Sequence, residues 1–396
     1  MIQALPFKIG QVLTAEIRAV AFGGDGLARV DGFVVFVPFT LDGDIVEIQI
    51  REVKKKFFRG RLRKILTPSV HRASPPCPYF GKCGGCQYQH VDYDKQLEIK
   101  MQQVIDAFER VGGLKSPPVG RIIPSPRTYG YRGKGEYHIQ PMAGKNPVIG
   151  FLDVSGRRLV DIERCEIMDD SINESCAAFR RNMAEADIRP GESRLILWSQ
   201  ENEDTDEAVD RVRRTVKGRV FTVPRDGFFQ ANRALVEALV DEVIRLSALS
   251  KADRVIECYC GSGLFSAFIA ERCGVFTGVE IDEAAVECAR ENLKGLSNST
   301  FFCGDVKDIL QGDFFRDEPV DVIVMDPPRT GCEKDVLRVI ATMAPRKLVY
   351  VACDPVTQAR DVAFFVQEGY ELKTIQPLDM FPQTKHIEAV ALLERR

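Results

Sequence analysis

The sequence predicts an α/β protein in three parts: a small closed β-barrel over residues 1–66, a central α+β segment over 67–225, and a doubly wound, mostly parallel sheet over 226–396. Three observations predict it. The first 66 residues hold five short apolar alternations separated by glycine-bearing turns. A tight cysteine cluster follows a proline-rich break. From Arg254 onward, strand-like and helix-like stretches alternate regularly, the pattern of helices packed on both faces of a parallel sheet.

Length and composition set limits. At 396 residues the chain is long enough for two or three domains at roughly 100 to 200 residues each. Hydrophobic residues make up 45% and charged residues 28%, as in a globular protein, and no apolar run approaches the roughly 18 residues of a membrane span. Met1 to Gly10 lacks a charged-then-apolar signal layout, so a cytoplasmic location is expected. In that reducing compartment, twelve cysteines point to metal binding or catalysis rather than disulfides. The net charge of -3 excludes a uniformly basic surface, although the charge is distributed unevenly.

In the barrel, strands are expected over 12–20, 26–30, 33–38, 44–53 and 57–66, joined by the turn-rich segments Ala21-Phe-Gly-Gly-Asp-Gly26 and Leu41-Asp-Gly-Asp44. The last two strands carry Arg51, Lys54, Lys55, Lys56, Arg59, Arg61, Arg63 and Lys64 around Phe57 and Phe58. Such a stripe suits a phosphate backbone, with the rings stacking on bases, or else a solvated edge strand. Thr67-Pro68 and Pro75-Pro76 end the barrel. A helix is expected over 91–111, with Leu97, Met101, Val104, Ile105 and Phe108 on its apolar face and possible packing on the catalytic part. Residues 121–168 alternate as strands.

The chemistry-bearing segments fall at strand ends. Glu257-Cys-Tyr259-Cys-Gly261-Ser-Gly263 is a glycine-bearing turn into a helix; Gly278-Val-Glu280 ends the next strand, where a carboxylate suits ribose hydroxyls. Gly304-Asp305 is placed to meet an adenine edge, and Asp326-Pro-Pro-Arg329 ends a fourth strand. This acidic line disfavours a phosphate-bearing dinucleotide and suits the cationic sulfonium of S-adenosylmethionine; the competing reading is that the acids cap helices. An enzyme acting on exocyclic amines would place an aromatic ring where Arg329 stands. Methylating a pyrimidine carbon instead needs covalent activation by a thiolate. Cys353, in Tyr350-Val-Ala-Cys353-Asp-Pro355, stands at a strand end before a helix whose dipole would favour thiolate. A general base must then remove the carbon-5 proton, and Pro382-Gln-Thr-Lys-His386-Ile-Glu388 offers His386 and Glu388.

Cys77-Pro-Tyr-Phe-Gly-Lys-Cys83-Gly-Gly-Cys86 packs three thiols onto one loop and calls for a metal, with Cys165 the best fourth ligand. Zinc and a [4Fe-4S] cluster both accept four cysteines. The five-residue first gap departs from the radical S-adenosylmethionine spacing, which favours a structural or RNA-positioning role.

Together these segments resemble the RNA (uracil-5-)-methyltransferase family, in its iron-sulfur branch with an N-terminal TRAM domain, over nearly the whole chain. The resemblance implies a Rossmann-like class I methyltransferase domain behind an OB-like TRAM barrel and a central iron-sulfur domain. It implies [4Fe-4S] ligation by Cys77, Cys83, Cys86 and Cys165. Phe228-Phe-Gln230-Ala-Asn232 matches the family's Phe-x-Gln-x-Asn segment, implying that Gln230 contacts the cofactor. Tyr259, Gly261, Gly263, Glu280, Asp305 and Asp326 are the other expected cofactor positions, Cys353 the nucleophile and Glu388 the base. Glycine at 133 replaces the family's asparagine. The expected activity is methylation of uridine carbon 5 in structured RNA, ribosomal before transfer RNA, by a monomer. Two rival readings are a methyltransferase for exocyclic amines or protein side chains, and a non-catalytic RNA-binding protein with a vestigial cofactor site.

Overall fold

The computed structural model describes residues 7–142, 145–182, 194–200, 210–315 and 318–396. Parts of the segments expected for the barrel and the central region (1–6, 143–144, 183–193 and 201–209) lie outside them. Strands β1 (Val12–Val20), β2 (Asp25–Val30), β3 (Phe33–Pro38), β4 (Ile45–Val53) and β5 (Phe57–Thr67) close into a barrel in the order β1-β2-β3-β5-β4, as expected. Alternate residues point inward, so Ile17, Val35, Val37, Ile48, Ile50 and Phe58 form its core. At Gly60 a Cβ would overlap Ile48, so only glycine lets the strands approach there. The basic side chains of β4 and β5 are exposed. Phe58 is fully buried, however, and Phe57 packs edge-on against Phe36 at 5.5 Å beneath the Arg59 guanidinium. The expected pair of stacking rings therefore belongs to the barrel itself, because the pleat turns one ring inward and the other lies under Arg59.

Helix α1 (Tyr93–Arg110) starts at Asp92, whose side chain accepts the Lys95 N–H. The central sheet has the order β8-β7-β6-β9, from β6 (Lys134–Met142), β7 (Lys145–Leu152), β8 (Leu159–Asp161) and β9 (Arg194–Trp198), with α2 (Asp170–Asn182) packed on it. A hairpin of β10 (Arg211–Val216) and β11 (Arg219–Pro224) follows. Grouped with the central segment from sequence, it buries Val212, Val216, Phe221 and Val223 in the same core as the C-terminal sheet.

That sheet is built from β12 (Arg254–Cys258), β13 (Val275–Glu280), β14 (Ser299–Cys303), β15 (Val322–Met325), β16 (Lys347–Ala352), β17 (Tyr370–Leu378) and β18 (Glu388–Arg395). Its order is β14-β13-β12-β15-β16-β18-β17, parallel except for β18. Helices α3 (Val236–Ser247), α4 (Leu264–Ala270), α5 (Glu283–Asn292), α6 (Val306–Leu310), α7 (Lys334–Met343) and α8 (Pro355–Gln367) cover its faces. The order turns back between β12 and β15, which puts a crevice at their carboxyl ends. Among the described residues no helix is long and apolar enough to cross a membrane.

Helix α1 packs on α8, through Val104, Ala107 and Phe108, but its buried face differs from the apolar stripe expected. Leu97, Met101 and Ile105 are half-buried, whereas Gln96, Lys100 and Gln103 are buried. Each of these polar residues has partners remote in sequence. Lys100 Nζ donates to Asp379 Oδ1 at 2.6 Å and to the Phe381 carbonyl at 2.9 Å; neither side chain of the pair is exposed. Gln96 Nε2 donates to Gln383 Oε1 at 3.0 Å, and Gln96 Oε1 accepts the Gln383 N–H at 3.1 Å. Gln103 Nε2 donates to the Val20 and Ala21 carbonyls at the end of β1.

Removing one partner of a buried ion pair strands the other charge, at a cost of about 3 to 5 kcal/mol. Lys100→Met is expected to lose that much in chemical unfolding. Lys100→Met combined with Asp379→Leu should lose less than Lys100→Met alone, because no charge is left unpaired; an additive double variant would refute the pairing.

Candidate active site

Three strand ends meet in the crevice. In the antiparallel pair β16 and β18, Ala352 faces Ala389, and continuing that register by one residue sets Cys353 opposite Glu388. On the other side of β16, Met325 of β15 pairs with Tyr350 and with Cys258 of β12, so Asp326 emerges between Cys353 and Tyr259. Arg329 is exposed at the mouth, three residues along the same loop.

The electrostatics bind these residues into one group. Glu388 is 2% exposed, and burial raises its carboxyl well above the usual range; Asp326 raises it further and Arg329 opposes the rise. Burial also raises Asp326, to about 7. The Cys353 thiol is pushed up to about 12, first by burial, then by Glu388 and Asp326, with the charge and hydrogen bond of Arg329 working the other way. This reverses the expectation that a helix dipole favours thiolate. Asp354 caps α8 and takes the N–H groups of Val356 and Thr357, so the helix end is already satisfied by a carboxylate. His386 is driven down to about 3, by burial and then by Arg329, Lys385, Lys100 and Arg132. Its imidazole is neutral and weakly basic. Of the two base candidates, Glu388 is the one facing the thiol with a strengthened affinity for protons.

The cofactor candidates line the other half of the crevice. Tyr259, Gly261 and Gly263 adopt left-handed backbone, with φ of 63°, 52° and 82°, which folds the β12–α4 turn tightly. Glu280 is oriented by the backbone, accepting from Gly261 N at 3.0 Å, Ile281 N at 2.7 Å and Asp282 N at 3.0 Å. Two buried polar atoms, Gln230 Oε1 and Ser262 Oγ, have no hydrogen-bond partner among the described residues. Buried groups are rarely left so, and both fit a site that a polar ligand completes. Asp305 is exposed, and its Oδ1 caps α6 by accepting from Lys307 N and Asp308 N, which is the capping role weighed against adenine binding.

Glu257 was passed over. It is 1% exposed on β12, accepts Ser266 Oγ at 2.6 Å, and is raised to about 8 by burial, with Asp326 and Glu280 adding to the rise. The available signal was an acid inside the apolar strand Arg254-Val-Ile-Glu-Cys258, where a charge needs a reason.

Away from the crevice, Cys77, Cys83, Cys86 and Cys165 are free thiols whose ionisation is mutually opposed. Burial raises Cys86 to about 12 and Cys165 to about 11, and the neighbouring cysteines contribute to both. Backbone N–H groups point at three of the sulfurs: Gly85 to Cys83 at 3.4 Å, Tyr79 and Phe80 to Cys77, Ile167 and Met168 to Cys165. Among the described residues no group of three or more His, Cys, Asp or Glu side chains is arranged to hold a metal ion.

The comparisons with known proteins agree with this architecture. Residues 6–62 match the TRAM domain model and residues 249–373 a methyltransferase domain model. An uncharacterized RNA methyltransferase of Gloeobacter violaceus is 33% identical, spanning 98% of this chain and 97% of its own. Another, of Halalkalibacterium halodurans, is 30% identical over 99% of both chains. The crystal structure of Pyrococcus abyssi tRNA (uracil-54, C5)-methyltransferase with S-adenosyl-L-homocysteine shares the fold, with a TM-score of 0.71 at 24% identity over 96% of this chain and all of that one. With a TRAM barrel at its start, a methyltransferase domain at its end and relatives matched over nearly its full length, the chain belongs to the RNA methyltransferase family.

Proposed function

We propose that this enzyme methylates carbon 5 of a uridine in structured RNA, with S-adenosylmethionine as donor and Cys353 as covalent nucleophile. The observation that carries the reading is Cys353 opposite the buried Glu388 and beside Asp326 and Arg329, a thiol facing a candidate base at the end of its own strand. The fold shared with a tRNA uracil C5 enzyme supports it. Ribosomal RNA is the first substrate to test and transfer RNA the second.

Bound S-adenosylmethionine supplies an electrophilic methyl group. Glu280 would hold the ribose, with Gln230, Tyr259, Gly261, Gly263, Asp305 and Asp326 around the rest. Cys353 adds to carbon 6 of the uracil while its proton passes to Asp326, which leaves an ionised Glu388 free to act as base later. The ring becomes an enolate, nucleophilic at carbon 5, which Asp326 and Arg329 orient. After methylation Glu388 takes the carbon-5 proton, the carbon 5–carbon 6 double bond reforms, and the sulfur leaves. The target uridine must be reachable, in a loop or flipped from a stem.

The four-cysteine site is proposed as the seat of a [4Fe-4S] cluster. An all-thiol donor set with backbone N–H groups aimed at its sulfurs supports this, since such hydrogen bonds tune iron-sulfur clusters.

Four outcomes are expected. Cys353→Ala should bind S-adenosylmethionine yet neither methylate RNA nor form an adduct with 5-fluorouridine RNA; methylation by that variant would end the nucleophile assignment. Glu388→Gln should slow turnover by about 10² to 10⁴-fold and accumulate a covalent protein–RNA adduct visible on a denaturing gel. Since thiol and carboxyl pair are both shifted upward, their reactive ionised forms grow with pH, so single-turnover adduct formation should rise continuously from about pH 6 to about pH 9, and a maximum on the acid side would contradict it. For the cluster, anaerobically prepared protein should contain about four iron and four sulfide per chain, and Cys165→Ser should lose them; zinc in their place would overturn this part.

A further inference from the structure

Helix α8 does more than follow the nucleophile. One of its faces, formed by Thr357, Arg360 and Asp361, grips the backbone of residues 329–332, the end of the loop that bears Asp326 and Arg329. Thr357 Oγ1 donates to the Arg329 carbonyl at 3.2 Å. Arg360 Nη2 donates to the Thr330 carbonyl at 3.0 Å and the Cys332 carbonyl at 3.3 Å. Asp361 is the hub. Its side chain has no exposure, its Oδ2 accepts the Cys332 N–H at 2.9 Å and the Tyr350 hydroxyl at 2.7 Å, and its Oδ1 is held by Arg360 at 2.7 Å.

The fit is close. At Gly331, with φ of 74°, a Cβ would lie 2.5 Å from Arg360 Nη2 and 2.6 Å from Asp361 Oδ2, so the loop backbone lies directly on the pair. A buried carboxylate with three donors around it is costly to move, because every displacement strips hydrogen bonds from a charge with no water nearby. The loop backbone and the nucleophile's own helix therefore meet at a residue whose side chain has no exposure and cannot touch the RNA.

We infer that Asp361, with Arg360, is a positioning residue: it fixes the 326–332 loop so that Arg329 stands over Cys353, and it acts on the reaction through Arg329. This rests on the role given to Arg329 in the proposed function. The charge and hydrogen bond of Arg329 are what oppose the rise of the Cys353 thiol, so an Arg329 that wanders leaves the thiol harder to ionise and slower to add.

The test is adduct formation by the full-length enzyme with S-adenosylmethionine and ribosomal RNA transcribed with 5-fluorouridine, where the fluorine on carbon 5 replaces the removable proton and the adduct persists. Rates at saturating RNA are compared for the wild type, Asp361→Asn, Arg329→Ala and the double variant. Asp361→Asn is expected to slow adduct formation about tenfold in the wild-type background and less than about twofold when Arg329 is already absent. A role in stability alone would lower the melting temperature and leave the two rate effects equal. Equal slowing in both backgrounds, or none in either, overturns the inference. An Arg329→Ala enzyme that forms adduct at the normal rate would instead overturn the role assigned to Arg329. Should Asp361→Asn fail to fold, Tyr350→Phe removes one donor to the same oxygen and keeps the ring; a smaller slowing that also vanishes without Arg329 supports the inference, and an unchanged rate overturns it.

Discussion

The active site depends on an ammonium group sealed inside the protein. Lys100 comes from a helix more than 270 residues before its partner Asp379, and neither side chain reaches solvent. Taking two charges out of water costs several kcal/mol each, and their attraction offsets this only when the geometry is good. Here Lys100 has a carboxylate at 2.6 Å, a carbonyl at 2.9 Å and the Tyr88 ring at 5.9 Å. What such a pair contributes is chiefly a single arrangement, because any slip of the 379–387 segment would leave a bare charge inside. Glu388 begins the next strand, so the segment that Lys100 holds sets where the carboxyl facing Cys353 begins.

The same region explains why the thiol rests in its protonated form. Burial, the Glu388 carboxyl and Asp326 disfavour an additional negative charge at Cys353, and the exposed Arg329 guanidinium opposes them. On the proposed mechanism, a thiolate made from such a high-affinity thiol is intrinsically the stronger nucleophile, so the arrangement would trade standing reactivity for strength at the moment of attack. It also protects a half-buried cysteine from oxidation between turnovers, since thiolate is the oxidisable form.

Much of this architecture was legible in the sequence. Parallel strands buried on both faces read as short apolar runs, and each run from Arg254 onward has its strand within a residue or two. Cys353, Glu388, Asp326 and Glu280 stand out as candidates because they fall at strand ends, where side chains of a doubly wound sheet meet a ligand. What periodicity missed were polar residues that are buried by pairing with remote partners. Gln96, Lys100 and Gln103 break the apolar stripe of α1, and nothing local distinguishes them from solvated side chains. Asp361 is hidden the same way, an acid whose donors come from elsewhere in the fold, whereas Glu257 stands out locally as an acid inside an apolar strand. Phe58 shows the reverse error, a ring read as available for RNA because the sequence does not say which face of a barrel strand looks inward.

The cysteine loop and the base-bearing segment are not separate devices. The N–H groups of Gln87 and Tyr88, immediately after Cys86, both donate to the Gln383 carbonyl at 2.9 Å, and Gln87 Oε1 accepts the Lys385 N–H. Gln383 has a φ of 68°, a left-handed conformation that a glutamine keeps only when its surroundings determine it. Those surroundings are α1, through Gln96, and the residues that follow the cysteines. Helix α1 in turn reaches the barrel through Gln103 and the carbonyls of Val20 and Ala21. A single helix thus joins the barrel, the cysteine loop and the strand that carries Glu388. The barrel, the cysteine loop and the segment before Glu388 are thereby held in one register by direct hydrogen bonds.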